Sequence, residues 1–229
     1  NDAKIVANGE NASVYGSVGD LDVKNSVKVN EANITGTLKF IGSNSIVSNS
    51  TVNNVVFGES RSVKATNSQL VDSDIAGTIT FTERASQGNS LIGNNITQTV
   101  VLQGVDDIIY QNNIITTSDY AVDATHTRAS GNNISDNYLI SNGKQANDAV
   151  TYATGKDHIV ENNGPDLIIG EIADVMTGNE NVIPINVLPT FRNTTVTIKV
   201  NDKLVKETSA GGLSEQIVDA DDLIVGENT

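Results

Sequence analysis

The chain contains no cysteine. That excludes disulfides, thiolate metal sites and a cysteine nucleophile. It does not exclude an extracellular location, because a long repetitive core needs no covalent staples. Tryptophan is also absent, and aromatic residues make up 4% of the 229 residues. A core must therefore be assembled from Val, Ile and Leu, which favour strands. Only three prolines occur, Pro165, Pro184 and Pro189. Proline interrupts an internal strand ladder, so residues 1–164 read as one uninterrupted ladder system. No stretch approaches the roughly 20 apolar residues of a membrane span, so no membrane insertion is expected within this segment. No signal peptide is visible. The chain opens on Asn1 with no Met, and so reads as a mature product or an excerpt of a longer protein.

Positive charge is scarce too. Net charge is −14, from 14 Lys and Arg against 28 Asp and Glu. Nucleic-acid binding is excluded as an expectation, because phosphate contacts need clustered cations. Anionic membrane surfaces are disfavoured for the same reason. Helical periodicity, with apolar residues at i, i+3, i+4 and i+7, is nearly absent.

What is present is asparagine, 29 residues of it, and a recurring short apolar alternation. The units are NITGTLKF (33–40), STVNNVVF (50–57), SDIAGTITF (73–81), NNITQTVVL (94–102), NNIITTSDYAVD (112–123) and NNISDNYLIS (132–141). Phe40, Phe57, Phe81 and Leu102 close four successive units, 17, 24 and 21 residues apart. A strand-only repeat near 20 residues predicts a coil architecture in which stacking buries what no single coil can. About seven coils are expected. Asn tolerates the left-handed conformation that tight corners need, and its amide stacks into ladders. The pairs Asn94-Asn95, Asn112-Asn113, Asn132-Asn133 and Asn162-Asn163 are therefore expected to be structural corner residues. The wider spacing before the last pair implies an excursion over residues 141–155.

The N-N-I and L-I-G-N-N-I units resemble the Asn-rich repeats of adhesin-like surface proteins of methanogenic archaea. The resemblance covers about residues 11–164. It implies a right-handed parallel β-helix, the solenoid class that also contains pectate lyases and polygalacturonases. From Pro165 the texture changes to longer alternations. In 195–200, Val196, Ile198 and Val200 share one face and Thr195, Thr197 and Lys199 the other, and Asn201-Asp202 supplies a hairpin turn. The elements GNENVIPINV (178–187), TVTIKVNDK (195–203) and DLIVGENT (222–229) are similar to bacterial-Ig-like repeats that accompany such β-helices. The fold expectation is thus all-β: a β-helix over 1–164 and an Ig-like β-sandwich over 165–229. In that family one more strand usually follows G-E-N-T, so the sandwich reads as lacking its last strand. An excerpt, proteolysis, or a strand donated by a neighbouring subunit would each account for that.

The polygalacturonase motif set is not present as a set. Asp106-Asp107 matches one element of it. The most enzyme-like group is His126 and Arg128 with Asp119 and Asp123, a carboxylate pair beside a candidate base; a solvated turn is the simpler reading. His158 lies within an apolar alternation and reads as a surface or ladder residue. Asp219, Asp221 and Asp222 are the densest carboxylates, yet they lack the glycine and distal glutamate of calcium loops. No catalytic, cofactor-binding or metal-ligating residue is assigned, and no cofactor is expected. Six N-x-S/T sequons, at Asn11, Asn33, Asn49, Asn95, Asn133 and Asn193, are candidate glycosylation sites in a secreted chain. Asn11 and Asn193 are favoured, because Asn95 and Asn133 also suit inward positions.

Together these readings imply a non-enzymatic extracellular cell-surface protein, adhesin-like or structural. Its partner would be a cell-surface carbohydrate or protein. Contact would fall on one sheet or on the 141–155 excursion. Two alternatives are a self-assembling filament or sheath subunit that binds copies of itself by strand donation, and a polysaccharide lyase or hydrolase.

Overall fold

A computed structural model describes residues 4–9, 13–165, 167–169, 179, 181–187, 194–200, 203–210, 212–219 and 223. Two compact units divide between Gly164 and Pro165. The first is a β-solenoid with three main faces. The strands Asp20–Val23, Ile79–Phe81, Val100–Leu102, Val122–Ala124 and Val150–Tyr152 lie on the first face. Ile46–Ser48, Gln69–Val71, Ser90–Ile92, Ile108–Tyr110, Asn133–Ser135 and Ile159–Glu161 lie on the second. Asp74–Ile75, Asn95–Ile96, Asn113–Ile115 and Tyr138–Ser141 lie on the third. The longer strands Lys28–Phe40 and Thr51–Phe57 run across faces and stand between Asp20–Val23 and Ile79–Phe81 on the first; the other successive strands on each face pair in parallel and in register. A 3-10 turn at Ala146–Ala149 is the one helical element among the described residues.

Each turn sends one aliphatic residue inward from each face. The inner triads are Leu21/Val29/Ile34, Leu38/Val47/Val52, Val55/Leu70/Ile75, Ile79/Leu91/Ile96, Val100/Ile109/Ile114 and Val122/Ile134/Leu139, none more than 2% exposed. The solenoid thus has about six turns, against the seven that the repeat period implies. The difference lies at the ends: Ile5, on the first strand, is 37% exposed, and Val160 is only half-buried. The phenylalanine column is in register as well. Phe40 stacks on Phe57 at 4.5 Å between ring centroids, and Phe57 on Phe81 at 4.4 Å, the rings within 16° of parallel. Leu102 continues the column.

Two polar ladders run through the interior beside these residues. In one, the backbone N–H groups of Val27, Ser45, Ser68, Asn89 and Asp107 donate to the side chains of Ser45, Ser68, Asn89, Asp107 and Asn132 in turn. In the other, those of Ala32, Ser50, Ser73, Asn94, Asn112 and Asn137 donate to Ser50, Ser73, Asn94, Asn112, Asn137 and Asn163. Every bond is 2.9–3.2 Å long and joins one coil to the next. A buried backbone N–H without a partner is costly, and the ladders remove that cost where the chain bends away from the sheet hydrogen bonds.

This placement divides the asparagine pairs. Asn94, Asn112, Asn132 and Asn163 are buried, whereas Asn95, Asn113 and Asn133 are the outward first residues of strands. Of the eight, only Asn162 takes the left-handed conformation, at φ 55°. The corners are turned instead by the residue before each ladder position: Asn49, Asp72, Gly93, Gln111, Asp136 and Asn162 in one row, and Asn44, Asn67, Gly88, Asp106, Gly131 and Asp157 in the other. Corner and ladder are adjacent positions with different demands. The corner needs positive φ; the ladder needs an oxygen aimed one coil back.

The second unit is antiparallel. Asn181–Val187 pairs with Leu167–Ile169 on one side and with Gly212–Val218 on the other. Thr194–Val200 and Lys203–Ala210 form a hairpin with a register shift at Ile198/Lys199. Ile198 and Val200 are buried while Thr197 and Lys199 are exposed, in accord with the alternation. The turn residues Asn201 and Asp202 and, apart from Leu223, the DLIVGENT segment lie outside the described residues.

Candidate functional site

The enzyme-like residues of the sequence are dispersed by the strand Val122–Ala124. Asp119 precedes it, and its carbonyl accepts from Ser141 Oγ and Lys144 Nζ. His126 and Arg128 follow it and turn towards Glu83, a residue that belongs to no motif and lies 45 positions away from Arg128. Arg128 Nη1 pairs with Glu83 Oε1, Arg84 Nε lies 3.4 Å from the same oxygen, and His126 Nε2 lies 3.4 Å from Oε2. Asp123 Oδ1 is engaged locally by the N–H and hydroxyl of Thr125, at 2.9 and 2.7 Å. The arrangement is an ion-pair hub centred on Glu83. It joins turns two coils apart, and the carboxylate is already matched by two guanidinium groups.

The expected excursion is present and is built from three pieces. Ile140 and Ser141 pair antiparallel with Gln145 and Lys144. The 3-10 turn Ala146–Ala149 follows, with Ala146 and Ala149 buried. Val150–Tyr152 then rejoins the first face beside Val122–Ala124. Lys144 Nζ sits 3.4 Å from the centroid of the Tyr120 ring, a cation–π contact. The excursion forms an open depression of about 600 Å³, lined by Tyr120, Lys144, Asn147, Asp148, Thr151 and Tyr152 among others. Tyr152 is 45% exposed, and its ring is held edge-on by His158 at 6.0 Å. The site offers an open aromatic face with amide, carboxylate and hydroxyl groups around it.

No family model, curated protein or solved structure matches this chain.

Two ladder positions carry titratable groups. Asp107 replaces the amide of its column with a carboxyl that is closed to solvent. Burial pushes its pKa up to about 7, against the hydrogen bonds from Asn89 and Ser86. His158 follows Asn132 in the same column, since Asn133 pairs with Ile159. Both of its ring nitrogens are buried without a hydrogen-bond partner. Desolvation accordingly lowers its pKa, so the neutral ring is favoured.

Among the described residues no group of three or more His, Asp or Glu side chains is placed to hold a metal ion. Asp219 is exposed beyond the strand Gly212–Val218, while Asp221 and Asp222 lie outside the described residues. Of the sequons, Asn33, Asn49 and Asn95 are exposed and Asn133 is half-buried; Asn11 and Asn193 lie outside the described residues. Among the described residues no helix is long and apolar enough to cross a membrane.

Proposed function

We propose that this chain is a non-enzymatic surface protein, structural or adhesin-like, in which the solenoid is a stiff stalk and the 141–155 excursion presents the ligand contact. The observation that carries this reading is the pair of interior ladders. They tie each coil to the next through buried side chains as well as through the sheets, so the unit resists bending and shear between coils. On such a scaffold, binding belongs to the segment that departs from the repeat, and its Lys144, Asn147 and Asp148 line the depression together with Tyr120 and with Tyr152 of the adjoining first-face strand. Its lining suits a sugar: a ring face for C–H groups and polar groups for hydroxyls. The right-handed winding follows the general rule for parallel crossovers. The second unit serves as a spacer of Ig-like type, and the setting is the archaeal cell surface that the repeat resemblance implies.

Screening the full chain on immobilised glycans tests this. Retention of a defined glycan that is lost in Tyr152→Ala, with melting unchanged, is the expected result. Release of unsaturated or reducing sugars from a polyuronate, abolished by Asp123→Ala, would overturn the non-enzymatic reading.

A further inference from the structure

Charge is not mixed evenly along the solenoid. Residues 1–164 contain ten basic and seventeen acidic residues. After each first-face strand the chain makes a turn that ends at the left-handed corner opening the second face. These turns are residues 24–25, 41–43, 58–66, 82–87, 103–105, 125–130 and 153–156. Short of the corners, where Asp106 and Asp157 stand, they hold six of the ten basic residues, Lys24, Arg61, Lys64, Arg84, Arg128 and Lys156, and two acidic ones, Glu59 and Glu83. All three arginines of the unit are among them. The remainder of residues 1–164 carries four basic and fifteen acidic residues.

The registered pairing of the first-face strands sets these turns one above another along the axis. At about 4.8 Å per coil the cations span roughly 30 Å. Contacts confirm the alignment where side chains meet: Glu83 gathers Arg84 from its own turn and Arg128 from two coils on. Arg61 and Lys64 are exposed, and neither they nor Lys156 makes an ion pair among the described residues.

We propose that this edge binds an acidic polysaccharide, a chain of carboxylated or sulfated sugars lying along the solenoid axis. The inference goes beyond the stalk reading and stands on charge placement alone. An axial row of cations fits a linear polymer better than a single small anion. The Arg61 guanidinium, unpaired among the described residues, presents paired donors that match carboxylate and sulfate oxygens, while Arg84 and Arg128, both on Glu83, leave that hub with an excess of positive charge. The fifteen acidic residues on the rest of the unit disfavour a flat anionic membrane and a polymer as densely charged as duplex DNA, which carries a phosphate charge about every 1.7 Å. A glycan with one charge per sugar, or one per two sugars, meets the narrow stripe at a lower charge density.

The test uses the full chain and fluorescently labelled polygalacturonate and dextran sulfate, with neutral dextran and a DNA duplex as comparators. The expected result is binding of at least one acidic glycan, weakened by added salt, with neutral dextran unbound and DNA weaker. The preferred glycan identifies the anionic group as carboxylate or sulfate. Combining Arg61→Gln, Lys64→Gln and Lys156→Gln, all outside the Glu83 hub, should weaken binding about tenfold or more. Lys28→Gln, away from the edge, should leave it unchanged. Absence of binding by the native chain, tighter binding to DNA, or equal affinity of the triple variant would each overturn the proposal.

Discussion

Ser86 Oγ lies 3.0 Å from both carboxylate oxygens of Asp107. The contact explains how an acid occupies an amide ladder. In the coils on either side, Asn89 Nδ2 donates to the carbonyl of Ala65 and Asn132 Nδ2 to that of Gly104. The Asp107 side chain has no N–H to offer. Where its neighbours in the wall are Ala65 and Gly104, the wall residue facing Asp107 is a serine whose hydroxyl supplies a donor. The same hydroxyl accepts from Asn89 Nδ2 at 2.8 Å, joining two rungs.

Asp107 makes stability depend on pH in an unusual direction. Its folded pKa of about 7 lies above the ordinary 3.8. The folded state therefore keeps a proton that the unfolded chain releases. The resulting stabilisation is complete below pH about 4 and is lost as pH rises through 7, a change on the order of 4 kcal/mol. Asp107→Asn should abolish that fall and raise the melting temperature at pH 8. Melting curves from pH 4 to 8 check it; identical pH profiles for the two proteins would exclude the carboxyl as the cause.

The division of the asparagine pairs is testable on adjacent residues. Asn112 accepts from the N–H and Nδ2 of Asn94 and donates to Leu91 O, Tyr110 O and Asn137 Oδ1. Asn112→Ala strands several buried groups and should cost about 3 kcal/mol or more in chemical denaturation. Asn113 is exposed, and Asn113→Ala should stay within about 0.5 kcal/mol of the native chain.

The phenylalanine column carries much of the first-face core. Phe57 is packed between Phe40 and Phe81 with no exposure. Phe57→Ala should destabilise the solenoid by about 3–5 kcal/mol. Equilibrium unfolding measures it, and Phe57→Leu should recover most of the loss.

Gly104 marks a close approach. A Cβ there would meet Asp107 Oδ2 and the backbone and side chain of Ser86. Gly104→Ala should cost about 1–3 kcal/mol, as overpacked sites do. Gly143→Ala, whose added carbon meets nothing within 4 Å, is the comparison. It carries backbone strain at φ 72° but no clash.

Strand-only repeats, the Phe40–Phe57–Phe81–Leu102 spacing and the clustering of prolines beyond position 164 made the solenoid legible in the sequence. The asparagine pairs were less informative than they look. Asn132-Asn133 opens the second face, whereas Asn94-Asn95 and Asn112-Asn113 open the third, so the spacing between pairs mixes two columns. The underlying signal is a polar residue at i and i+5 with an aliphatic at i+2 and i+7. Ser45, Val47, Ser50 and Val52 satisfy it, as do Asn89, Leu91, Asn94 and Ile96. It is obscured because serine fills the columns in early coils and asparagine in later ones. Glu83 was illegible for a different reason: turns of unequal length separate it from His126 and Arg128, and only the stacking of coils brings them together.

The ladders also have a direction. In every rung the N–H belongs to the earlier coil and the accepting oxygen to the later one. The two edges of any coil are therefore unlike: the edge towards the next coil presents two backbone donors, and the edge towards the preceding coil presents two side-chain oxygens. A stack cut between coils would expose donors on one side of the cut and acceptors on the other.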